Sequence, residues 1–348
     1  MDLKFKRKNK TLIILVAGEI DHHSSKELRS KTESALEQMG GRNIIFGFQE
    51  VTFMDSAGIG VMIGRYKQVQ SLGGRIAIAC PNEKIEEMIQ LSGLSRLLPT
   101  FVSLDAAIAY ASASAVVGTS NEYAQRCMQD IPHRTVYVGV DIDRFDGGIQ
   151  KYGATIEKRE DEFWVAYAGS LAKSYDIETL IRACQYAAPI IRDELGLRLR
   201  LQILGDGPYR QRLENTAAQT PGLVTFNGYV DYQIMAAYLF ESDILVNSLI
   251  KSAPQSIVSK IADYLCAGKP IINTGESVEF KDKCLRDGFG VNVEPENAIA
   301  LAGAIVELAH DDELRMHMGM RGRAIAEEQF DRPIAYREIV NLVNDLLQ

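Results

Sequence analysis

The chain has 348 residues, of which 46% are hydrophobic, and a formal net charge of −8. This length and apolar content allow two or three domains with buried cores, and the acidic balance argues against general nucleic-acid binding. The longest apolar run near the start, residues 11–18, is too short for a membrane span and does not have the layout of a signal peptide. We therefore expect a cytoplasmic protein with no integral membrane segment.

Residues 1–113 read as short strands that alternate with amphipathic helices. Strands are predicted near residues 3–5, 11–17, 43–48, 75–79 and 101. Helices are predicted near residues 24–39, 58–72, 82–91 and 104–111. This order predicts an α/β domain in which helices pack on a mixed sheet.

Within this domain, residues 51–67 (VTFMDSAGIGVMIGRYK) run from a strand into a helix. Asp55 and Ser56 fall at the start of that helix, and Gly58 and Gly60 would let another surface approach it closely. Two interpretations remain open from these residues alone. Either Asp55 and Ser56 merely cap the helix, which is worth about 1 kcal/mol, or Ser56 is a phosphoacceptor whose modification alters a docked surface.

The first 113 residues resemble the STAS-domain anti-sigma factor antagonists of sporulation. The resemblance rests on GEIDHH at residues 18–23, on residues 53–67, and on residues 88–94 with their Ser-Gly-Leu. It implies a STAS-type mixed sheet and a phosphoacceptor at Ser56, with an anti-sigma factor serine kinase as partner. It also implies that Asp21 contributes to partner contact, beside Asp55, Gly58 and Gly60.

From residue 116 the pattern changes to a longer alternation of strands and helices. A short strand and a capped helix come first, and strands then follow near residues 163–168, 197–204, 223–226, 244–247 and 289–293. The pattern predicts a doubly wound parallel sheet, in which ligands bind beyond the carboxyl ends of the strands. We therefore predict two domains, at residues 1–113 and 114–348.

The most informative stretch of the second domain is residues 251–273. It reads as a polar loop, a helix that begins near Ser256 and ends at Gly268, and a buried strand after Pro270. Lys260 and Asp263 are one turn apart, so that a cation for phosphate and a carboxylate for sugar hydroxyls would flank one pocket beside the helix N-terminus. An ordinary surface helix with a few charges is the alternative.

Glycine-containing turns follow the strands in the same domain. They are GSLAK at residues 169–173, GDGP at 205–208 and NGY at 227–229. Such turns let backbone N–H groups approach phosphate, although each by itself is an ordinary turn. Their order with respect to residues 255–270 resembles the donor-binding half of GT-B glycosyltransferases of family four.

That resemblance implies a Rossmann-like domain, half of a GT-B fold, that binds a nucleotide sugar, with a UDP-sugar as the expected donor. Asp263 matches the second acidic position of the family motif and would hold the ribose, whereas Gln255 stands at the first acidic position and departs from the motif. The implied donor-binding residues are Gly169, Lys173, Asp206, Tyr229, Gln255, Ser256, Ile257, Lys260 and Asp263. Among these, Lys173 and the start of the helix would hold the diphosphate, and Tyr229 would lie near the base. Ser170 stands where many members have arginine.

Nothing in residues 1–113 resembles the acceptor-binding half of such an enzyme. A transferase must position both substrates, so half a cleft should lose most of the rate. The sequence leaves open whether transfer occurs, and a separate protein that supplies the acceptor domain is a possible partner.

The expected function is a fusion of a partner-switching domain and a nucleotide-sugar-binding domain. The alternative is a retaining hexosyltransferase of cell-surface polysaccharide synthesis with a regulatory STAS domain. A fusion without a combined role also remains open. No metal or cofactor is expected, because the histidines and cysteines lack metal-ligand spacing.

Overall fold

The structure is a computed structural model that describes residues 1–39, 42–125, 131–253 and 257–347. The chain forms two compact units. The first contains Met1–Val116 and Gln125–His133, and the second contains Val117–Ala124 and Arg134–Gln348. The domain boundary at residue 113 stays a prediction, and the two units are described separately.

The first unit is built on a five-stranded sheet in the order β1-β2-β3-β4-β5. Its strands are β1 (Asp2–Lys8), β2 (Thr11–Ile20), β3 (Asn43–Met54), β4 (Ile76–Ala79) and β5 (Thr100–Phe101). Its helices are α1 (Ser24–Met39), α2 (Ser56–Ser71), α3 (Glu83–Leu91) and α4 (Leu104–Ser112). β1 is antiparallel to β2 and the other pairs are parallel, so the predicted mixed sheet is confirmed.

The apolar side chains of β2 divide between the two faces of this sheet, because side chains alternate along a strand. Leu12 and Ile14 are buried in a core that includes residues of α1, α2 and α3. Ile13 belongs to a second cluster that includes residues of α4. An uninterrupted apolar run in β2 therefore reflects a strand covered on both faces.

Two short strands and one helix come between these elements and the rest of the second unit. They are β6 (Val116–Gly118), α5 (Asn121–Gln125) and β7 (His133–Thr135). β6 and β7 form a two-stranded sheet.

The second unit contains a six-stranded parallel sheet in the order β10-β9-β8-β11-β12-β13. The strands are β8 (Glu162–Ala168), β9 (Arg198–Leu204), β10 (Val224–Gly228), β11 (Ile244–Asn247), β12 (Ile271–Asn273) and β13 (Gly290–Asn292). The helices up to β12 are α6 (Ile142–Tyr152), α7 (Ile177–Leu195), α8 (Arg210–Ala217), α9 (Tyr232–Glu241) and α10 (Lys260–Cys266). The later helices are α11 (Val278–Asp287), α12 (Ala298–His310), α13 (Asp312–Ile325), α14 (Arg332–Ala335) and α15 (Arg337–Leu347). The predicted doubly wound α/β architecture is confirmed.

The strand order places a topological switch point between β8 and β11. From β8 the chain adds β9 and β10 on one side, and it then returns to add β11, β12 and β13 on the other. Crevices at such points, beyond the carboxyl ends of the strands, are where α/β sheets bind ligands. Gly169 follows β8 directly, so it lies at this point.

One predicted boundary was wrong. The helix expected to begin near Ser256 begins at Lys260, and residues 257–259 precede it without helical structure. Val258 is buried in the core and Ile257 packs against it. Both residues are β-branched and therefore weak helix formers. We attribute the later start of the helix to this weak preference together with the tertiary packing of the pair. Gln255 and Ser256 lie outside the described residues.

Within the described ranges, none of the helices combines the length and apolar character needed to cross a membrane.

Candidate functional site

The start of α2 is capped by Asp55 and not by Ser56. The Asp55 carboxylate accepts hydrogen bonds from the backbone N–H groups of Ala57 at 2.8 Å and Gly58 at 3.2 Å. Ser56 is the first helical residue and is exposed, and its hydroxyl makes no hydrogen bond to the described part of the chain. The two residues therefore have separate roles, and the Ser56 hydroxyl is accessible from solvent.

Asp21 and Asp55 lie at the same edge of the sheet. Ile20 pairs with Met54 in the parallel β2–β3 ladder, and each aspartate directly follows its strand. Asp21 accepts hydrogen bonds from the Ser24 backbone N–H and hydroxyl, each at 2.8 Å. These bonds, the backbone one first, lower the pKa of Asp21. The edge beside Ser56 is therefore acidic before any modification.

The two glycines predicted to admit a partner have different environments. Gly58 is buried, and a Cβ there would lie 2.5 Å from the Met54 side chain and 2.9 Å from that of Ile20. Gly60 is exposed, and apart from its chain neighbours and the backbone of its own helix no described atom lies within 4 Å of the position of a Cβ. Gly58 thus lets α2 pack on its own sheet, whereas Gly60 leaves open surface.

In the second unit, the turns after β8 and β9 meet through their glycines. The Gly169 N–H donates to the Leu204 carbonyl at 2.8 Å. A Cβ on Gly205 would lie 1.9 Å from the Gly169 carbonyl oxygen, so no side chain fits there. Asp206 follows, and its carboxylate accepts from the Gly207 N–H at 2.8 Å and pairs with Arg210 at 3.4 Å. Asp206 thus stabilises its own turn and is not a free carboxylate.

Lys260 carries its ammonium group to the end of β8. The Nζ atom lies 3.9 Å from the ring centroid of Tyr167 and 4.1 Å from that of Tyr175. It is buried and has no hydrogen-bond partner among the residues described. Burial lowers the pKa of Lys260 well below its usual range. A Cβ on Gly169 would approach Nζ to 2.7 Å, so the absence of a side chain at Gly169 leaves room for the ammonium group.

Asp263 points to a different neighbour from Lys260. Its carboxylate accepts a hydrogen bond from the Tyr232 hydroxyl at 2.8 Å. Burial raises the pKa of Asp263 to about 6, against the opposing effect of that hydrogen bond. The two α10 side chains predicted to flank one pocket therefore contact separate aromatic residues.

The remaining predicted donor residues are more exposed. Lys173 is exposed in the loop after β8, and Tyr229 is 85% exposed after β10. Ile257 is half-buried before α10. In the described ranges, no group of three or more His, Cys, Asp or Glu side chains is arranged to hold a metal ion.

The first unit matches the family model described as STAS domain over residues 2–107. The anti-sigma F factor antagonist of Paenibacillus polymyxa is 33% identical over 90 residues, which cover 77% of that protein and 26% of this chain. The chain therefore belongs to the STAS family. The anti-sigma-B factor antagonist of Bacillus subtilis (strain 168) is 29% identical over 98 residues, which cover 88% of that protein and 28% of this chain.

The STAS domain is joined to a second family domain. The family model described as glycosyl transferases group 1 matches residues 162–311. Anabaena HepE, solved in complex with UDP, has a TM-score of 0.57 at 14% identity, covering 95% of this chain and 99% of that one. A glycosyltransferase from Rickettsia africae has a TM-score of 0.57 at 15% identity, covering 98% of this chain and 100% of that one. The parallel sheet of the second unit is of the type found in the Rossmann-like domains of such GT-B proteins.

Two aromatic features of this STAS protein were missed by the sequence analysis. The rings of Tyr167 and Tyr175 enclose the Lys260 ammonium, although Lys260 is about 90 residues away along the chain. Phe53, just before the Asp55 cap, is 45% exposed. An aromatic residue three positions before a phosphoacceptor candidate was a usable signal for Phe53. No local pattern predicts the tyrosine pair.

Proposed function

We propose that the chain combines a phosphorylation-controlled protein switch with a nucleotide-sugar-binding unit. The observation that supports the switch is the exposed hydroxyl of Ser56, which does not cap α2. Because Asp55 performs the capping, a phosphate on Ser56 would not remove that cap. It would instead add about two negative charges to an edge that already carries Asp21 and Asp55, and so change which surfaces dock there.

The proposed partner is an anti-sigma factor serine kinase, as expected for a relative of anti-sigma factor antagonists. Phe53 and the open position at Gly60 are accessible on either side of Ser56 along the chain. In this proposal the unmodified surface binds the kinase, and the kinase then modifies Ser56. Electrostatic repulsion at the modified edge then releases the kinase.

Binding and phosphorylation assays test the switch. The probe is the anti-sigma F factor of Paenibacillus polymyxa, supplied with ATP. We expect the unmodified chain and Ser56→Ala to bind it, and Ser56→Asp to bind at least about tenfold more weakly, a difference of about 1.4 kcal/mol. Mass spectrometry should find one phosphate on the chain and none on Ser56→Ala.

Ser71→Asp is the matched control, because it adds the same charge to an exposed residue at the other end of α2. Equal loss of binding in Ser71→Asp and Ser56→Asp would contradict a role specific to Ser56. Phosphorylation of the Ser56→Ala variant would show that another residue is the phosphoacceptor.

For the second unit, we propose that Lys260 helps to bind the diphosphate of a UDP-sugar at the switch point between β8 and β11. A buried ammonium without a hydrogen-bond partner is costly to stability, and an anionic ligand would compensate that cost. The similar Anabaena protein is described in complex with UDP. Asp263 is proposed for the ribose and Tyr229 for the base, and transfer itself would need an acceptor domain from another protein.

Thermal unfolding with UDP, GDP, ADP and their sugars tests the donor site. The single tryptophan, Trp164, is buried in β8 and reports on this unit. We expect UDP and a UDP-sugar to raise the melting temperature. Lys260→Met should lose that increase while the ligand-free protein stays at least as stable, because the variant removes an unpaired buried charge.

Lys281→Met is the control, since it removes a lysine of α11 that pairs with Glu276 near the surface. An unchanged UDP response in Lys260→Met would exclude the assigned role of Lys260. No response of the unaltered chain to any nucleotide would exclude donor binding.

A further inference from the structure

The second unit has a cavity of about 680 Å³. It opens at the end of the sheet opposite to Gly169. Its lining includes Asp243 and Pro270, which directly precede β11 and β12. Gly169 follows the carboxyl end of β8, and the strands are parallel. The cavity therefore lies at the amino ends of the strands, away from the proposed nucleotide site.

The walls of this cavity are largely apolar and come from three helices. Ile149 belongs to α6, Phe240 to α9, and Met316 and Met320 to α13. Phe240 is 41% exposed, Met316 62% and Met320 59%. Methionine side chains are unbranched and adapt to ligands of different shape. These walls suit a flexible hydrocarbon group.

The carboxylates that line the cavity already have cationic partners. The three pairs are Asp146 with Arg323, Asp243 with Lys158, and Asp312 with Arg315. In each of the first two pairs the distance between the side-chain nitrogen and the carboxylate oxygen is 2.7 Å. Paired in this way, the carboxylates leave little negative charge for a cationic ligand.

Lys269 is the exception among the charged lining residues. In the described part of the chain, its ammonium has neither an ion-pair partner within 4.0 Å nor a hydrogen bond, and Nζ lies 5.1 Å from the ring centroid of Phe240. Burial lowers the pKa of Lys269, while the charge of Asp243 acts in the opposite direction. An unpaired cation therefore faces the apolar walls.

We propose that this cavity binds an amphipathic anion, namely a carboxylate with an unbranched hydrocarbon chain. The carboxylate pairs with Lys269, and the chain lies against Phe240, Met316 and Met320. The cavity volume falls within the roughly 300–1,000 Å³ typical of small-molecule sites. A charge-assisted contact with Lys269 supplies the selectivity for an anion, and contact of the chain with the apolar walls supplies the remaining affinity.

Isothermal titration of the full chain with decanoate and with 1-decanol tests this proposal, because the two ligands share a hydrocarbon chain and differ in charge. We expect one decanoate per chain, bound at least about tenfold more tightly than 1-decanol, as for a hydrogen bond to a charged group. In Lys269→Met, which keeps an apolar side chain of similar length, the two ligands should bind with equal affinity.

Lys281→Met controls for the loss of one positive charge, and it should preserve the preference for decanoate. Met316→Glu provides a second variant, at a side chain that is 62% exposed. Both ligands lose an apolar contact in this variant, but decanoate should be weakened more than 1-decanol, since Coulomb repulsion acts only on the anion. Equal binding of both ligands by the unaltered chain, or an undiminished preference in Lys269→Met, would overturn the proposal. So would the absence of any binding.

Discussion

Two ionisable side chains of α10 are held in environments that disfavour their charged forms. Lys260 is enclosed by two tyrosine rings, and Asp263 is buried beside Tyr232. Burial of a charge without a full set of partners lowers the stability of the folded state. Such residues are candidates for function because a ligand can supply the missing partner. Lys260 is the stronger candidate, because its ammonium has no hydrogen bond in the described chain.

Asp263 makes the stability of the second unit depend on pH. Its pKa is raised from 3.8 to about 6, so the folded state binds the proton more tightly than the unfolded state. Stability from this group is therefore present below pH 4 and is lost as the pH rises through about 6. This difference in pKa corresponds to about 3 kcal/mol in the free energy of unfolding. We expect Asp263→Asn to gain up to this amount over the unaltered chain by pH 7, with no gain near pH 4.

Urea unfolding followed by Trp164 fluorescence between pH 4 and 8 measures that difference. Asp282→Asn, at an exposed carboxylate of α11, controls for the loss of one negative charge. A constant difference between Asp263→Asn and the unaltered chain across this range would show that Asp263 does not titrate as described.

At the scale of elements, α2 and α10 differ in what sets their first residue. α2 begins where a local signal predicts it, because Asp55 satisfies backbone N–H groups within three residues. α10 begins later than its sequence pattern predicts, because Val258 is drawn into the core. Its position is set by a distant contact, since the Tyr264 hydroxyl accepts a hydrogen bond from the Ala168 N–H at 2.8 Å. That contact holds α10 against the end of β8, where Lys260 reaches Gly169.

At the scale of the molecule, the first unit includes residues well beyond its family match, which ends at residue 107. Ile131 is 1% exposed and belongs to the same buried cluster as Ile13, Ile45 and Ala107. Burial of a side chain of this size contributes about 1.5–3 kcal/mol. We therefore expect a fragment of residues 1–133 to be more stable than one of residues 1–113 by an amount of this order, measured by urea unfolding with circular dichroism.

The matched control is the 1–133 fragment with Ile131→Ala, which should lose most of the added stability. Equal stability of the 1–113 and 1–133 fragments would mean that the segment from 114 onward contributes nothing to this core. The domain boundary predicted at residue 113 would then be adequate for the first unit.

The sequence by itself determined the alternation of elements, the two fold classes, the family resemblances and the position of Ser56 at the start of α2. Each depends on periodicity, on capping within a few residues, or on a contiguous motif. Only the tertiary structure decided that Asp55 alone caps α2, that Gly58 serves packing, and that Lys260 lies between Tyr167 and Tyr175. It also decided that Lys269 faces an apolar cavity at the amino ends of the strands. The surroundings of Lys260 and Lys269 join residues far apart in the chain, and side-chain packing rather than local preference determines which of them meet.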